Sequence, residues 1–366
     1  MPSLSETDVR ELLSGLAVPD EPEDEGSNLV SRGWLRAVGI DGEKVAVELR
    51  ANYPVDGQRE ALVKAIEKVL LEDERIEQAS VNLEWRVFAH QVQGELKPMP
   101  QVRNIIAVAS GKGGVGKSTT AVNLALALQA DGARVGILDA DIYGPSIPRM
   151  LGVGGKPETT GKRIIPQQAY GMQVMSIGFM VAEDTPMIWR GPMVTSALQQ
   201  LLTETNWDDL DYLVVDLPPG TGDIQLTLAQ KVPVSGVVVV TTPQDIALLD
   251  ARKAVQMFRK VDVKVLGVVE NMSVHICPQC GFEEAVFGSG GGEKMAEEYE
   301  LPLLGQLPLS AKIRADLDRG VPSLAAEPDS AIAASYREFA RKTAAVLARQ
   351  PRSLELNLPQ IQLENS

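Results

Sequence analysis

Eight consecutive residues, Gly111-Lys112-Gly113-Gly114-Val115-Gly116-Lys117-Ser118, follow a short apolar run and precede a stretch of helical character. They constrain the fold of this chain more than any other segment. Glycines let a backbone turn its N–H groups inward onto phosphate oxygens, a lysine before the helix reaches terminal phosphates, and a serine hydroxyl beside it ligates Mg²⁺. Such a loop needs a strand before it and a helix after it. Residues 105–109 and 119–129 meet both requirements. Four glycines and two lysines at the start of a helix serve no packing purpose, so a ligand-free glycine turn accounts for them poorly. The general phosphate-loop pattern accepts any residue at its second position, and Lys112 is therefore information beyond that pattern.

Around this loop, Val/Ile/Leu runs at 105–109, 135–138, 174–177, 212–215, 237–240 and 265–269 alternate with helical stretches. Continuous apolar strands separated by helices predict an α/β domain with a mostly parallel sheet covered by helices on both faces. Ligands of such sheets sit at the carboxyl ends of the strands. Asp139, Asp141 and Asp216 stand at or just beyond two such ends, where carboxylates order Mg²⁺ and its water. A glycine-rich turn at 288–292, a short helix at 293–299, a strand at 303–305 and a last amphipathic helix at 331–349 complete the domain.

The first ninety residues follow a different rule. Helical spacing over 3–18, an acidic break over 20–25, a hairpin from 34–39 and 45–49 turning at Asp41-Gly42, a helix over 57–71 and a strand over 79–83 make an α-β-β-α-β unit. The chain thus divides into a small α+β domain (1–90), a linker (91–102) containing Gly94, Pro98 and Pro100, a nucleotide domain (103–350) and a polar tail (351–366).

Charge narrows the partners. A net charge of −14 argues against a nucleic-acid binder and against general affinity for acidic membranes. The chain lacks a basic-then-apolar leader and any stretch of about 18 apolar residues, so the cytoplasm is the expected compartment.

Gly-Lys-Gly-Gly-Val-Gly-Lys-Ser, with Leu-Asp-Ala-Asp at 138–141 and Val-Val-Asp-Leu-Pro-Pro-Gly at 214–220, resembles the deviant Walker A ATPases, the class that includes MinD, ParA and the nitrogenase iron protein. Within that class Asp-Ile-Tyr-Gly-Pro-Ser at 141–146, Thr-Gly-Asp at 221–223, Glu-Asn-Met-Ser at 270–273 and Cys-Pro-Gln-Cys at 277–280 resemble the Mrp/ApbC iron–sulfur cluster carriers. The N-terminal unit is similar to the small iron–sulfur assembly domain in front of many bacterial members. That domain often has a cysteine near its second helix, where this chain has Asn52-Tyr53-Pro54-Val55, so no thiol chemistry is expected there.

The resemblance implies a set of roles. ATP and Mg²⁺ would be held by Gly111, Lys112, Gly113, Gly114, Val115, Gly116, Lys117, Ser118 and Thr119, with Asn271 on the adenine edge. Ser118, Asp139 and Asp216 would order the metal, and Asp141 the attacking water. Lys112 would reach the partner's nucleotide across a homodimer, as an arginine finger does.

Cys277 and Cys280 are the chain's two cysteines and are too close to staple a fold. Tetrahedral zinc and iron–sulfur clusters both take four thiolates, and a two-fold dimer supplies four from two Cys-x-x-Cys pairs. Pro278 and Gly281 suit the turn that would aim both sulfurs at one metal, and His275 is unnecessary to the shell. A redox pair, structural zinc and an inert pair stay open from the residues alone. The resemblance selects a [4Fe-4S] cluster passed to apo-proteins, together with an assembly scaffold as partner. A positioning ATPase of the MinD or ParA type is the alternative, but the alanine-rich face of the last helix is a weak membrane anchor.

Overall fold

The computed structural model describes residues 3–22, 26–94, 96–180, 191–277 and 279–353. Residues 23–25, Pro278 and the tail from 354 onward, which figure in the sequence reading, lie outside the described residues.

The N-terminal unit opens with α1 (Glu6–Ser14), fixed by a capping box in which Ser5 and Asp8 bond each other's main-chain N–H. The hairpin of β1 (Leu35–Asp41) and β2 (Lys44–Ala51) turns through Gly42 at φ +59. After α2 (Arg59–Leu70), β3 (Gln78–Trp85) pairs parallel to β2. Alternation sorts β2 cleanly. Val45, Val47 and Leu49 face inward with Val9, Leu13, Ile66 and Leu70 of the two helices.

The larger sheet begins with β4 (Val102–Ser110) and continues with β5 (Val135–Asp139), β6 (Gln167–Ala169), β7 (Met172–Ser176), β8 (Leu210–Asp216), β9 (Gly236–Thr241), β10 (Val265–Ile276), β11 (Glu283–Glu284) and β12 (Leu303–Leu309). Its order is β11-β10-β9-β4-β8-β5-β7-β6, with β12 also beside β10. Pairing is parallel except at the two margins, β10 with β11 and β6 with β7. The mostly parallel sheet expected from the sequence is thus present, and β4 stands where the chain's progression reverses direction. That position defines the ligand crevice of an open α/β sheet.

Helices cover this sheet. α3 (Lys117–Ala130) follows β4 and is buried on nearly every side, through Ala121, Val122, Leu124, Ala125, Leu126, Ala127 and Leu128. α11 (Ala331–Ala348) lies against α3 and β12, and its alanines 333, 340, 344 and 345 are buried in that contact. The alanine face is therefore a packing face, because small side chains let two helices approach closely. Among the described residues no helix is long and apolar enough to cross a membrane.

Two boundaries differ from expectation. Residues 91–94 of the linker are pinned: Gln93 Nε2 donates to the carbonyls of Ala229 (2.6 Å) and Val232 (2.5 Å), and its Oε1 accepts the N–H of Val234 (3.0 Å). Gln91 N–H also donates to Pro351 O, and Ser353 N–H to Ala89 O, so the tail begins as an ordered partner of the linker. Polar side chains that satisfy buried main-chain groups leave no periodicity to read. The other boundary is β10, which runs seven residues past the expected end at 269, out to Ile276.

Candidate functional site

Three of the four glycines of the loop have a distinct steric reason to be there. A Cβ on Gly111 would lie 2.1 Å from the carbonyl carbon of Asp250, because the backbone of α7 (Asp245–Lys260) presses on the loop. Gly114 and Gly116 adopt φ +82, a left-handed conformation that side chains resist. Gly116 also caps α3 without offering an acceptor, which leaves the first-turn N–H groups of the helix for an anion.

Parallel register then delivers the carboxylates. Asp216 at the end of β8 lies level with Val108 of β4 and Asp139 of β5. Lys117 Nζ lies 2.6 Å from Asp216 Oδ1 and 3.6 Å from Asp141 Oδ2, and Ser118 Oγ donates to Asp216 Oδ2 at 2.5 Å. Lys117, Ser118, Asp141 and Asp216 therefore converge at the mouth of the loop. Burial pushes the carboxyl of Asp216 upward in pKa, against the lowering pull of Lys117. Asp141, less buried, shifts upward for the same reason and is also drawn back by Lys117.

Asp139 is completely buried and its bonds point elsewhere. Oδ1 accepts the N–H of Asp141 (3.1 Å), while Oδ2 accepts those of Ser146 (3.0 Å) and Ile147 (3.1 Å) and the hydroxyl of Ser176 (3.2 Å). The carboxylate thus holds the turn that carries Asp141. Lys112 is half-buried, its carbonyl accepts the Ser110 hydroxyl at 2.9 Å, and its ammonium has no ion-pair partner among the described residues.

Asn271 belongs to the same constellation. Its Nδ2 donates to Val115 O at 2.9 Å, clamping the loop from β10. Beside it a cavity of about 230 Å³ is lined by Gly116, Thr119, Asn271, Met272, Pro308 and Ser310. This is a mostly apolar slot with a few polar groups next to the phosphate loop, the pattern of a small-molecule site. Asn271 lies inside β10, where Met272 at φ +58 kinks the strand and the pairing with β12 slips between Asn271 and His275.

Three participants have roles that the sequence does not assign. Glu270, fully buried, accepts Gly292 N–H (2.6 Å) and Gln306 Nε2 (3.1 Å), tying β10 to α8 (Gly291–Glu298) and β12. Pro308 lines the cavity beside Asn271, and Ser176 completes the Asp139 cage. Only the Glu-Asn-Met-Ser run at 270–273 hinted at the first.

β10 continues to the cysteines. With β11 it forms a hairpin in which His275 pairs with Glu284 and Ile276 with Glu283, and Cys277 N–H donates to Phe282 O at 2.9 Å. Gly281, at φ +73, donates back to Cys277 O at 2.9 Å and closes the turn. Cys280 is exposed and Cys277 partly so. The main-chain N–H groups of Gln279 and Cys280, then the Cys280 side chain, bond the Cys277 sulfur and lower its pKa, favouring the thiolate that binds metal. Among the described residues no three His, Cys, Asp or Glu side chains gather into a metal-binding group. The pair by itself supplies two ligands.

A glycine-cradled loop between a central parallel strand and a helix, with a lysine, a serine and a strand-end aspartate meeting at its mouth, defines a P-loop NTPase. The family model described as ParA, the NUBPL iron-transfer P-loop NTPase, matches residues 101–344, and the chain belongs to that family. It is 51% identical over 322 residues to an iron-sulfur cluster carrier protein of Haemophilus influenzae, covering 87% of each chain. Over 258 residues it is 51% identical to the mouse iron-sulfur cluster transfer protein NUBPL, covering 70% of this chain and 81% of that one. Among solved structures, a nucleotide-binding protein of Archaeoglobus fulgidus in complex with ADP, with cobalt, superposes at TM-score 0.55 and 37% identity over 60% of this chain and 87% of that one. The MinD cell division ATPase of Pyrococcus furiosus shares the fold at TM-score 0.50 and 23% identity, covering 65% of this chain and 97% of that one.

Proposed function

We propose that this protein is an ATP-hydrolysing iron–sulfur cluster carrier that holds a [4Fe-4S] cluster between two copies of the chain and passes it to apo-proteins, receiving it from an assembly scaffold. The observation that carries this reading is the course of one strand. β10 places Asn271 on the phosphate loop and, six residues on, Cys277 at an exposed turn, a span of at most about 20 Å. A change at the nucleotide thus has a short mechanical path to the thiols.

At the nucleotide end, main-chain N–H groups of 111–119 and Lys117 would hold the phosphates, and the cavity beside Asn271 the adenine. Ser118 Oγ and the Asp216 carboxylate are hard oxygen donors close enough to share one small cation, so this set fits Mg²⁺. Bound Mg²⁺ would neutralise charge on the transferring phosphoryl group. Asp141 positions the attacking water. Asp139, expected in the metal shell, acts through the turn it cages and so sets the place of Asp141. Lys112, without a carboxylate of its own, reaches the partner's nucleotide.

At the cargo end, each chain contributes Cys277 and Cys280. Ile276, Phe282 and Val286 flank the turn at 46%, 66% and 49% exposure, and Ile246 and Leu249 stand out from α7 beside the loop. A two-fold contact covering these apolar groups brings both cysteine pairs together. The compartment that suits such a carrier is the cytoplasm, with neither nucleic acid nor membrane as partner.

Anaerobic reconstitution with iron and sulfide tests the reading. About four iron atoms per two chains are expected, with charge-transfer absorbance and a dimer by size exclusion. Cys277→Ser and Cys280→Ser should each lose the iron while retaining nucleotide. Failure to bind iron with both cysteines intact, or one zinc ion per two chains in anaerobically purified protein, would refute cluster carriage.

A further inference from the structure

The chain carries 49 acidic residues against 35 basic ones, so a surface arginine has carboxylates to choose from. Four arginines nevertheless gather without pairing with any among the described residues. Arg50 of β2, Arg86 just past β3 and Arg352 just past α11 meet around Phe88, the last drawn in by the bridge between His90 and Arg352, and Arg36 of β1 stands near Arg50 and Arg352. The guanidinium carbons of Arg352, Arg86 and Arg50 lie 3.7, 5.3 and 5.9 Å from the centroid of the Phe88 ring. Burial, then the nearby charges of Arg50 and Arg352, lower the pKa of Arg36, which places it in the same field.

Among the described residues none of the four makes an ion pair, whereas Arg103 and Arg134 close by pair with Asp209 and Asp211. Nε of Arg50 is buried without an acceptor, and Arg352 reaches only the neutral Asn52 Oδ1, at 3.4 Å. Glu84 stands in register beside Arg50 on β3 yet makes no bond to it. One aromatic face thus holds several like charges whose repulsion an incoming anion would relieve. The cluster borders a cleft of about 380 Å³ walled by Arg86, Phe88, Met99, Pro100 and Arg352, with Asp209, neutralised by its ion pair to Arg103, also on the wall.

A bare inorganic anion would pair with the guanidiniums but leave Phe88, Met99 and Pro100 uncovered. Side chains of a peptide would cover both, and arginine forks match carboxylates two bonds at a time. We propose that this cleft is the docking site for an acidic, extended segment of a partner protein, its carboxylates pairing with Arg50, Arg86 and Arg352 around Phe88. The site lies at the start of β4, about 30 Å of strand away from the phosphate loop at its other end, so a docked partner leaves nucleotide access free.

Anisotropy of a fluorescein-labelled hexaglutamate peptide against the full chain tests this. Binding is expected at low salt, weakening about tenfold as salt rises through the physiological range, with no binding of hexalysine. Arg50→Gln with Arg86→Gln should weaken it at least about tenfold without changing ATP turnover, which also reports on folding. Should that pair not fold, Arg50→Lys with Arg86→Lys keeps the charge, loses the forks and must still bind more weakly than the parent. Absence of binding, or binding indifferent to these substitutions, overturns the proposal. Displacement by inorganic phosphate at concentrations no higher than the peptide's own would reduce the cleft to a simple oxyanion site and also overturn it. Binding seen only after deletion of residues 354–366 would give the cleft to the chain's own tail instead.

Discussion

Lys117 and Asp216 form a buried ion pair of 2.6 Å that joins the first residue of α3 to the last residue of β8, 99 positions further along the chain. With Ser118 Oγ on the other carboxylate oxygen, the pair ties the phosphate loop to the centre of the sheet.

Lys117→Ala should therefore do more than lower affinity. It leaves Asp216 buried without its cation, a change that typically costs about 3–5 kcal/mol unless the carboxyl takes up a proton. Because burial already drives that carboxyl toward the protonated form, the loss should be smaller at pH 5 than at pH 8. Guanidinium unfolding at both pH values checks the stability. Titration with a fluorescent ATP analogue should show affinity reduced by at least about a hundredfold.

Asn271→Ala removes the clamp on Val115 and one polar wall of the base cavity. A lost buried hydrogen bond costs about 1–2 kcal/mol, so ATP should bind roughly tenfold more weakly. The substitution loosens the phosphate loop and also opens the cavity. Inorganic triphosphate, which uses only the loop, should therefore lose less affinity than ATP, and equal losses for ATP and triphosphate in competition titrations would contradict the assignment of the cavity.

Much of this site was legible because its chemistry sits in contiguous residues. Gly111 to Ser118 declare themselves by type and spacing, and apolar runs locate β4, β5 and β8, whose parallel register brings Asp141 and Asp216 to the loop. What could not be read depends on distant partners. Nothing beside Asp139 in the chain shows that its carboxylate cages the N–H groups of Ser146 and Ile147 and the hydroxyl of Ser176. Gln93 looks like a linker residue until the carbonyls it meets at 229 and 232 are known. Apolar periodicity ended β10 at 269. The strand continues because Glu270 and Ser273 bond outward to its neighbours, and polar side chains carry no hydrophobic signal.

Asp131 connects the far end of α3 to the N-terminal domain and carries a pH dependence. It is 1% exposed, and both carboxylate oxygens lack a hydrogen-bond partner among the described residues. Arg341 Nη1 lies 3.9 Å away, while its Nε bonds Asp20 of the other domain. Burial outweighs the attraction of Arg341 and Arg337 and pushes the carboxyl up to about 6. A folded-state value above the unfolded one contributes stability that is complete at low pH and disappears as pH rises through about 6. Asp131→Asn keeps the shape without the ionisation. Its stability relative to the parent should rise between pH 4 and pH 7, by up to about 3 kcal/mol, in denaturant midpoints taken across that range. A constant difference would show that Asp131 is ionised with no penalty.

Lys112 decides whether the catalytic unit is one chain or two. Its ammonium has no carboxylate partner among the described residues, although Lys117, five residues on, has two. If it acts on the partner's nucleotide, Lys112→Ala should bind ATP nearly as tightly as the parent while hydrolysis falls by about a hundredfold or more. The direct check is mixing. A Lys112→Ala chain keeps its own phosphate cradle, and a Lys117→Ala chain keeps the reaching lysine, so each is inactive alone. Equal amounts exchanged into random dimers leave half of them mixed, each with one complete site of two, and about a quarter of the parental turnover should return. Recovery of that size requires the lysine to act across the interface. A mixture that stays inactive while mixed dimers demonstrably form would place Lys112 on its own chain's nucleotide.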